Sequence, residues 1–194
     1  MTWPVQSRNN MLNGQTYGQA SLHTGFPGTT GANEVVGGAP AYGRKTVAMN
    51  TSTGGTRSLN AAVTFYVPAV TVRFIGVWSG ADFVGYAANG GATPRNFMSS
   101  TINSQIHCVG HDYQDGQTVV FIWGTPPGGL TAGTTYFVRN RTAETFKVAT
   151  TFEGATINFS SGPSDGCWMC AIREDVYAGP GTHGLDTASI VFPS

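Results

Sequence analysis

Four residues have the types and spacing of a metal site. Cys108 and His111 stand in "CVGH", and Cys167 and Cys170 stand in "CWMC". A Cys-x-x-His with a distant Cys-x-x-Cys supplies the ligands and local spacing of a structural zinc site. The alternatives are a disulfide from Cys108 to one of the other two, and three free buried thiols. Within a regular strand Cys167 and Cys170 would face opposite sides, which disfavours a shared ion. Free thiols are therefore expected, and no metal or cofactor is assigned.

The other candidates for chemistry are weaker. His23 lies in "SLHTG", but no "GxSxG" elbow accompanies it. A hydrogen bond from His23 to the nearby "GTTGANE" loop is the simpler expectation, and His183 is read as structural too. The carboxylates are Glu34, Asp82, Asp112, Asp115, Glu144, Glu153, Asp165, Glu174, Asp175 and Asp186. Most fall in predicted turns, where acidic residues are ordinary, whereas glycosidase chemistry needs two facing across a sugar. "HDYQDG" has too few ligands for a calcium loop and no closing Glu. An enzyme is not expected. Trp78, Tyr86, Tyr113, Trp123, Trp168 and Tyr177 remain, as core residues, a sugar-stacking platform or a subunit interface.

Composition narrows the function further. Of 194 residues only 10% are charged, the formal net charge is zero, and 27 are glycine. Typical soluble domains carry roughly 25% charge. So little self-repulsion favours a permanently assembled protein. Arg44-Lys45 and Arg139-Asn140-Arg141 are the tight basic clusters, too little positive charge to track a phosphate backbone. No nucleic-acid or membrane partner is expected, since no stretch reads as a signal peptide or a transmembrane span. Three cysteines without such a signal point to synthesis in a reducing compartment.

The elements that would position these residues are mostly strands. "MTWPVQSRNNMLNG" reads as one short helix, capped by Thr2, with Pro4 in its first turn and Gly14 at its end. Val5, Met11 and Leu12 would share its apolar side. Strands are predicted at 20–25, 44–52, 61–68, 70–80, 82–88, 102–109, 117–123, 134–140, 145–151 and 156–161. Such spacing with Gly-rich turns means a sandwich or barrel. Both faces of "VTVRFIGVWSG" are largely apolar, which places that strand between two layers. In the second half, Val119, Phe121, Tyr136, Val138, Phe146, Val148, Ile157 and Phe159 form the predicted core.

"GLTAGTTYFVRNRTAETFKVATTFEGATINFSSG", after an Asp115-Gly116 turn and a "VVF" strand, resembles a small β-module of tailed-bacteriophage structural proteins. The usual His-Gly turn is inverted here to Gly110-His111, and in that family the turn histidine serves no metal. "SLHTGFPGTTGANEVVGGAPAYGRKTV", with "VTVRFIGVWSG" and "FVGYA", is similar to a motif of tail-fibre or minor-tail virion proteins. Its closing segment looks like "GPGTHGLDTASIVF" at the C-terminus.

The resemblance implies a jelly-roll-like β-sandwich of residues 1–97 and 173–194, with residues 98–172 inserted as a small β-barrel or meander. It implies a non-enzymatic structural component at the virion surface, made in the host cytoplasm. The leading role is tail fibre or tail surface; a capsid decoration or cement protein is the alternative, and a host-glycan-binding module the third reading. The implied partners are further copies of the chain, with a trimer preferred, neighbouring virion proteins, and in the third reading a host surface glycan.

Overall fold

The computed structural model describes residues 4–92, 94–164 and 166–191. The chain is all-β with one short helix, and its strand ladders are antiparallel. It divides into two compact units, Met1–Ala87 with Asp175–Ser194, and Ala88–Glu174. The second unit thus starts at residue 88 rather than the expected 98, because residues 95–96 already pair within it.

The first unit opens with helix α1 (Val5–Asn13). Pro4 stands just before the helix, at the N-cap position, rather than in its first turn; the expected Thr2 cap lies outside the described residues. The predicted apolar side is a correction. Only Leu12 is buried, and Val5 is exposed. Polar groups hold the helix instead. Asn9 Oδ1 accepts from Ser52 Oγ (3.0 Å) and Gly55 N (2.8 Å), and Asn13 Oδ1 accepts from Ser52 N (2.8 Å). Arg57 Nη1 donates to the carbonyls of Leu12 (2.9 Å) and Gln15 (2.8 Å), adding a side-chain cap at the C-terminal end.

Strands β1 (Gln19–His23), β2 (Lys45–Thr46), β6 (Phe74–Ser79) and β7 (Asp82–Ala88) form a four-stranded sheet in the order β2-β1-β6-β7. Most of the predicted strand at 44–52 is irregular, and only Lys45–Thr46 pairs as a strand. Strands β3 (Thr56–Ser58), β4 (Val63–Val67) and β5 (Val70–Val72) pair instead with the returning C-terminal segment. The predicted strand 70–80 is broken at Arg73, between β5 and β6. There Arg73 N donates to His23 O (2.9 Å) and Arg73 Nη1 to Thr24 O (2.7 Å). Phe74, Ile75 and Trp78 are buried on both sides of β6, as the two-layer expectation requires.

The second unit holds β8 (Arg95–Asn96), β9 (Met98–Ser100), β10 (Gln105–His107), β11 (Thr118–Ile122), β12 (Thr135–Arg139), β13 (Thr145–Ala149) and β14 (Trp168–Ile172). Their order is β8-β14-β11-β12-β13-β10-β9. The two ends of this sheet are joined through Phe97 alone, so the sheet curls round on itself into a small barrel. Phe97 points into the core, with Val119, Phe121, Tyr136, Val138, Phe146, Val148 and Phe159, and Ile157 packs against them. All eight predicted core residues are thus in or against the core.

Two predicted strands of this unit are corrected. Only Gln105–His107 of 102–109 is a strand. Residues 156–161 make a bridge at Thr156 and then leave the ladder, because Phe159 N turns to Ser104 Oγ (2.9 Å) and Ser160 N to Gly128 O (3.0 Å).

After β14 the chain returns to the first unit in three last strands: β15 (Asp175–Tyr177), β16 (Gly181–Leu185) and β17 (Ser189–Val191). They pair with β5, β4 and β3 respectively.

Phe146 is wholly buried and touches both His111 and Tyr113 edge to face. We expect Phe146→Ala to destabilise the second unit by about 3–5 kcal/mol, read from denaturant unfolding. A loss below about 1 kcal/mol would mean that the barrel core is organised around other residues.

Candidate functional site

The four candidate zinc residues form no metal group among the described residues. Cys108, Cys167 and Cys170 are buried and unpaired thiols. Cys167 lies in the barrel core with Met169 and Ala171, so Cys170, out of phase with them on β14, faces the other side. Cys108 follows β10, which pairs with β13 and β9 rather than with β14. Among the described residues, no three His, Cys, Asp or Glu side chains are grouped to hold an ion. Burial pushes the Cys167 thiol up to about 11 and Cys170 up to about 12, so neither is a nucleophile near neutral pH.

His111 is buried, stacked on Tyr113 with ring centroids 5.4 Å apart. Neither ring nitrogen makes a well-formed hydrogen bond, though the Thr145 backbone is near enough to favour its protonation weakly. Burial outweighs that and lowers its pKa. A neutral imidazole packed as an aromatic ring accounts for the position.

The polar centre of the first unit is His23. Its Nδ1 lies 2.7 Å from Ala32 O, a group that can only accept, so Nδ1 carries the proton. This is the expected tie to the "GTTGANE" loop. Nε2 then accepts from Ser21 Oγ at 2.7 Å, and Ser21 Oγ accepts from Trp78 Nε1 at 2.7 Å. Ser21 and His23 therefore have the pairing of a nucleophile and its base. They cannot work as one. Both are completely buried, and a carbonyl stands where a triad would place a carboxylate. Gly76 makes room for them: a Cβ there would collide with His23 Nε2 and Ser21 Oγ.

Sequence reasoning missed the ion pair beside this chain. Glu34 takes a two-pronged pair from Arg44, at 3.0 Å (Nε to Oε1) and 2.8 Å (Nη2 to Oε2). The same guanidinium lies 3.3 Å above the centre of the Trp78 ring. Tyr42 Oη accepts from Leu22 N (2.8 Å) and donates to Glu34 Oε1 (3.3 Å). No motif announces this cluster, because its members are brought together only by the loop between β1 and β2. The shallow hollow beside it, about 350 Å3, is lined by the same loop.

Three of the remaining carboxylates have local partners. Asp115 Oδ1 caps Arg141 N (3.0 Å), Glu144 faces His107 (3.2 Å), and Asp175 lies 3.7 Å from His183. Asp112 stands 4.0 Å from Arg95. Asp165 lies outside the described residues. Of the aromatics, Trp78 and Tyr113 are core residues, while Trp123 is half exposed and meets Trp168 edge to face.

Compared with protein-family models, with curated proteins and with solved structures, the chain matches none.

Burial lowers the pKa of His23, so the folded state binds fewer protons than the unfolded one below pH ~6.5. Its contribution is complete above that pH and is lost as pH falls toward the folded-state pKa. His111 acts with the same sign. We expect the melting temperature to fall on acidification below about pH 6.5, and His23→Gln to show a smaller fall from a lower starting point. Identical pH profiles for the two proteins would remove His23 as a titrating group of the fold. A strong chelator is expected to leave the melt unchanged, and a large downward shift would reveal a metal.

Proposed function

We propose that this chain is a non-enzymatic structural component of a tailed-bacteriophage virion, working through packing against its neighbours. The tail fibre or tail surface is the favoured location, and head decoration is the alternative. One observation carries the packing reading. Large apolar side chains that the two cores leave unused are turned outward: Val36, Met98, Ile102, Val109, Phe152 and Val176 are all exposed, Ile102 by 99%. The three cysteines and His23, in contrast, are buried. The low charge of the surface supports the same reading, since it leaves little repulsion between copies. The phage assignment, and a jelly-roll-like first unit, rest on the sequence resemblance.

Met98 lies on β9 and Ile102 in the turn that leads to β10, both outside the barrel core. We expect the purified protein to be an oligomer by light scattering, and Met98→Glu with Ile102→Glu to dissociate it. Exposed substitutions of this kind change fold stability by only about 0.5 kcal/mol, so the melt of the dissociated protein should be nearly unchanged. A clean monomer at high micromolar concentration would leave only contacts with other proteins. Labelling the chain in intact virions then separates tail from head, and its absence from virions would overturn the assignment.

A further inference from the structure

The hairpin of β12 and β13 sets two cations directly opposite each other. Arg139 pairs with Lys147 in the antiparallel register, one step beyond the pair of Val138 and Val148. Those two valines are core residues, so alternation puts Arg139 and Lys147 on the outer face of the barrel. Like charges in that relation repel and cost stability. Among the described residues neither cation has an ion pair. Glu144 is the one acid between them in the chain, and it is turned to His107 at 3.2 Å. Arg141 adds a third cation just past β12, where the Asp115 carboxylate is taken up by the Arg141 backbone N (3.0 Å). In a chain whose charges sum to zero, this row is a positive spot that the fold leaves without a counter-charge.

Beside the cations lies an aromatic anchor. Phe137 stands on the same outer face as Arg139, two residues away and so about 7 Å along the strand. Phe152 meets Phe137 edge to face, with ring centroids 6.1 Å apart. It also packs over Gly116, where a Cβ would collide with its ring. Phe152 is thus held from two sides and is still 62% exposed. Aromatic and arginine side chains together are the usual composition of an interface hot spot. A side chain that is already fixed has little rotamer freedom left to lose on binding.

The two features together select the partner. A nucleic-acid backbone needs a longer track of cations than this row provides. A two-fold contact with a second copy, centred on the row, would bring Arg139 and Lys147 against the same residues of the other copy, and facing like charges oppose association. A polypeptide with carboxylates next to an apolar side chain meets both requirements. Its carboxylates can accept charge-assisted hydrogen bonds from Arg139 and Lys147, while its apolar side chain rests on Phe152.

We propose that the outer face of the β12–β13 hairpin docks an acidic segment of a neighbouring protein, with carboxylates on Arg139 and Lys147 and an apolar side chain on Phe152. This names the chemistry of one neighbour, and it rests on the packing reading for there being such a neighbour.

The test is NMR titration of the isotope-labelled full chain, at low ionic strength, with a blocked peptide of glutamates around a central leucine. Amide shifts should move within residues 135–149 and at Phe152, and binding should weaken as salt is added. The same peptide with lysines for glutamates should not bind. Arg139→Glu should weaken binding at least about tenfold, the loss expected of a hot-spot residue. That variant also sets an acid opposite Lys147, so it should melt at or above the parent temperature; loss of binding is then not loss of fold. Phe152→Ala should weaken the leucine peptide several-fold and leave a peptide with serine in its place unaffected.

The proposal is overturned if the glutamate peptide does not bind, if the lysine peptide binds as well, or if Arg139→Glu binds like the parent. A short DNA duplex binding more tightly than the peptide would overturn it in favour of nucleic acid. Dissociation of an oligomeric parent by Arg139→Glu would overturn it in favour of a second copy. Light scattering separates it from the packing reading: an oligomer that ignores the peptide defeats this proposal alone, and a monomer that binds the peptide supports it while defeating packing between copies.

Discussion

The first unit depends on pairing between two distant pieces of chain. Each of β3, β4 and β5 has one strand neighbour, and in every case it comes from residues 175–191. The register shows that these are three pieces of one antiparallel ribbon. It slips by one residue between the β3–β17 and β4–β16 pieces, and slips back at β5–β15. The second slip coincides with Pro68, which has no N–H to offer a ladder. A one-residue slip exchanges the two faces of a strand, so the pair of compensating slips restores the facing of the ribbon beyond them. The buried residues Phe65, Val67, Val72 and Leu185 belong to one apolar cluster with Ala20, Leu22 and Ile75 of the neighbouring sheet. Without the C-terminal strands that cluster loses one wall.

The polar interior of the same unit works in the opposite way, by specifying geometry rather than by adding apolar area. His23, Ser21 and Trp78 form a directional chain in which each group has one role left open to it. The loop between β1 and β2 is then fixed at Ala32, and Glu34, Tyr42 and Arg44 complete the enclosure over the Trp78 ring. Gly31 permits this closeness, since its φ is +74° and a Cβ would meet the Trp78 and Phe83 rings. A fully satisfied buried network of this kind rigidifies a site. It also explains why the most catalytic-looking pair in the chain is inert.

Much of the fold was legible because alternation of side chains carries it. The barrel core could be named from the periodicity of "TVVFI", "TYFVR" and "TFKVA" alone. The tie from His23 to its loop was legible too, because a buried imidazole needs partners and the nearest polar loop is the obvious source. What remained hidden lacks a periodic signal. Strands of two or three residues, such as β8 and β17, are too short to show one. The docking of α1 by Asn9, Asn13 and Arg57 uses contacts across some forty positions of chain, and nothing local marks those polar residues as anchors.

The ends of the second unit are tied to each other. Asn89 Nδ2 donates to Arg173 O at 3.0 Å, and Arg173 N donates back to Asn89 O at 2.9 Å. This small clasp changes the entropy of building the first unit. As a flexible loop, the 87 residues of Ala88–Glu174 would impose a closure penalty whose length-dependent part is about 4 kcal/mol before β5 and β15 could meet. Once the second unit has folded by itself, its two ends emerge side by side and that length is no longer felt. The order of events in synthesis suits this, because every residue of the barrel leaves the ribosome before the strands that complete the ribbon. The barrel acts for its host as a preformed hairpin turn.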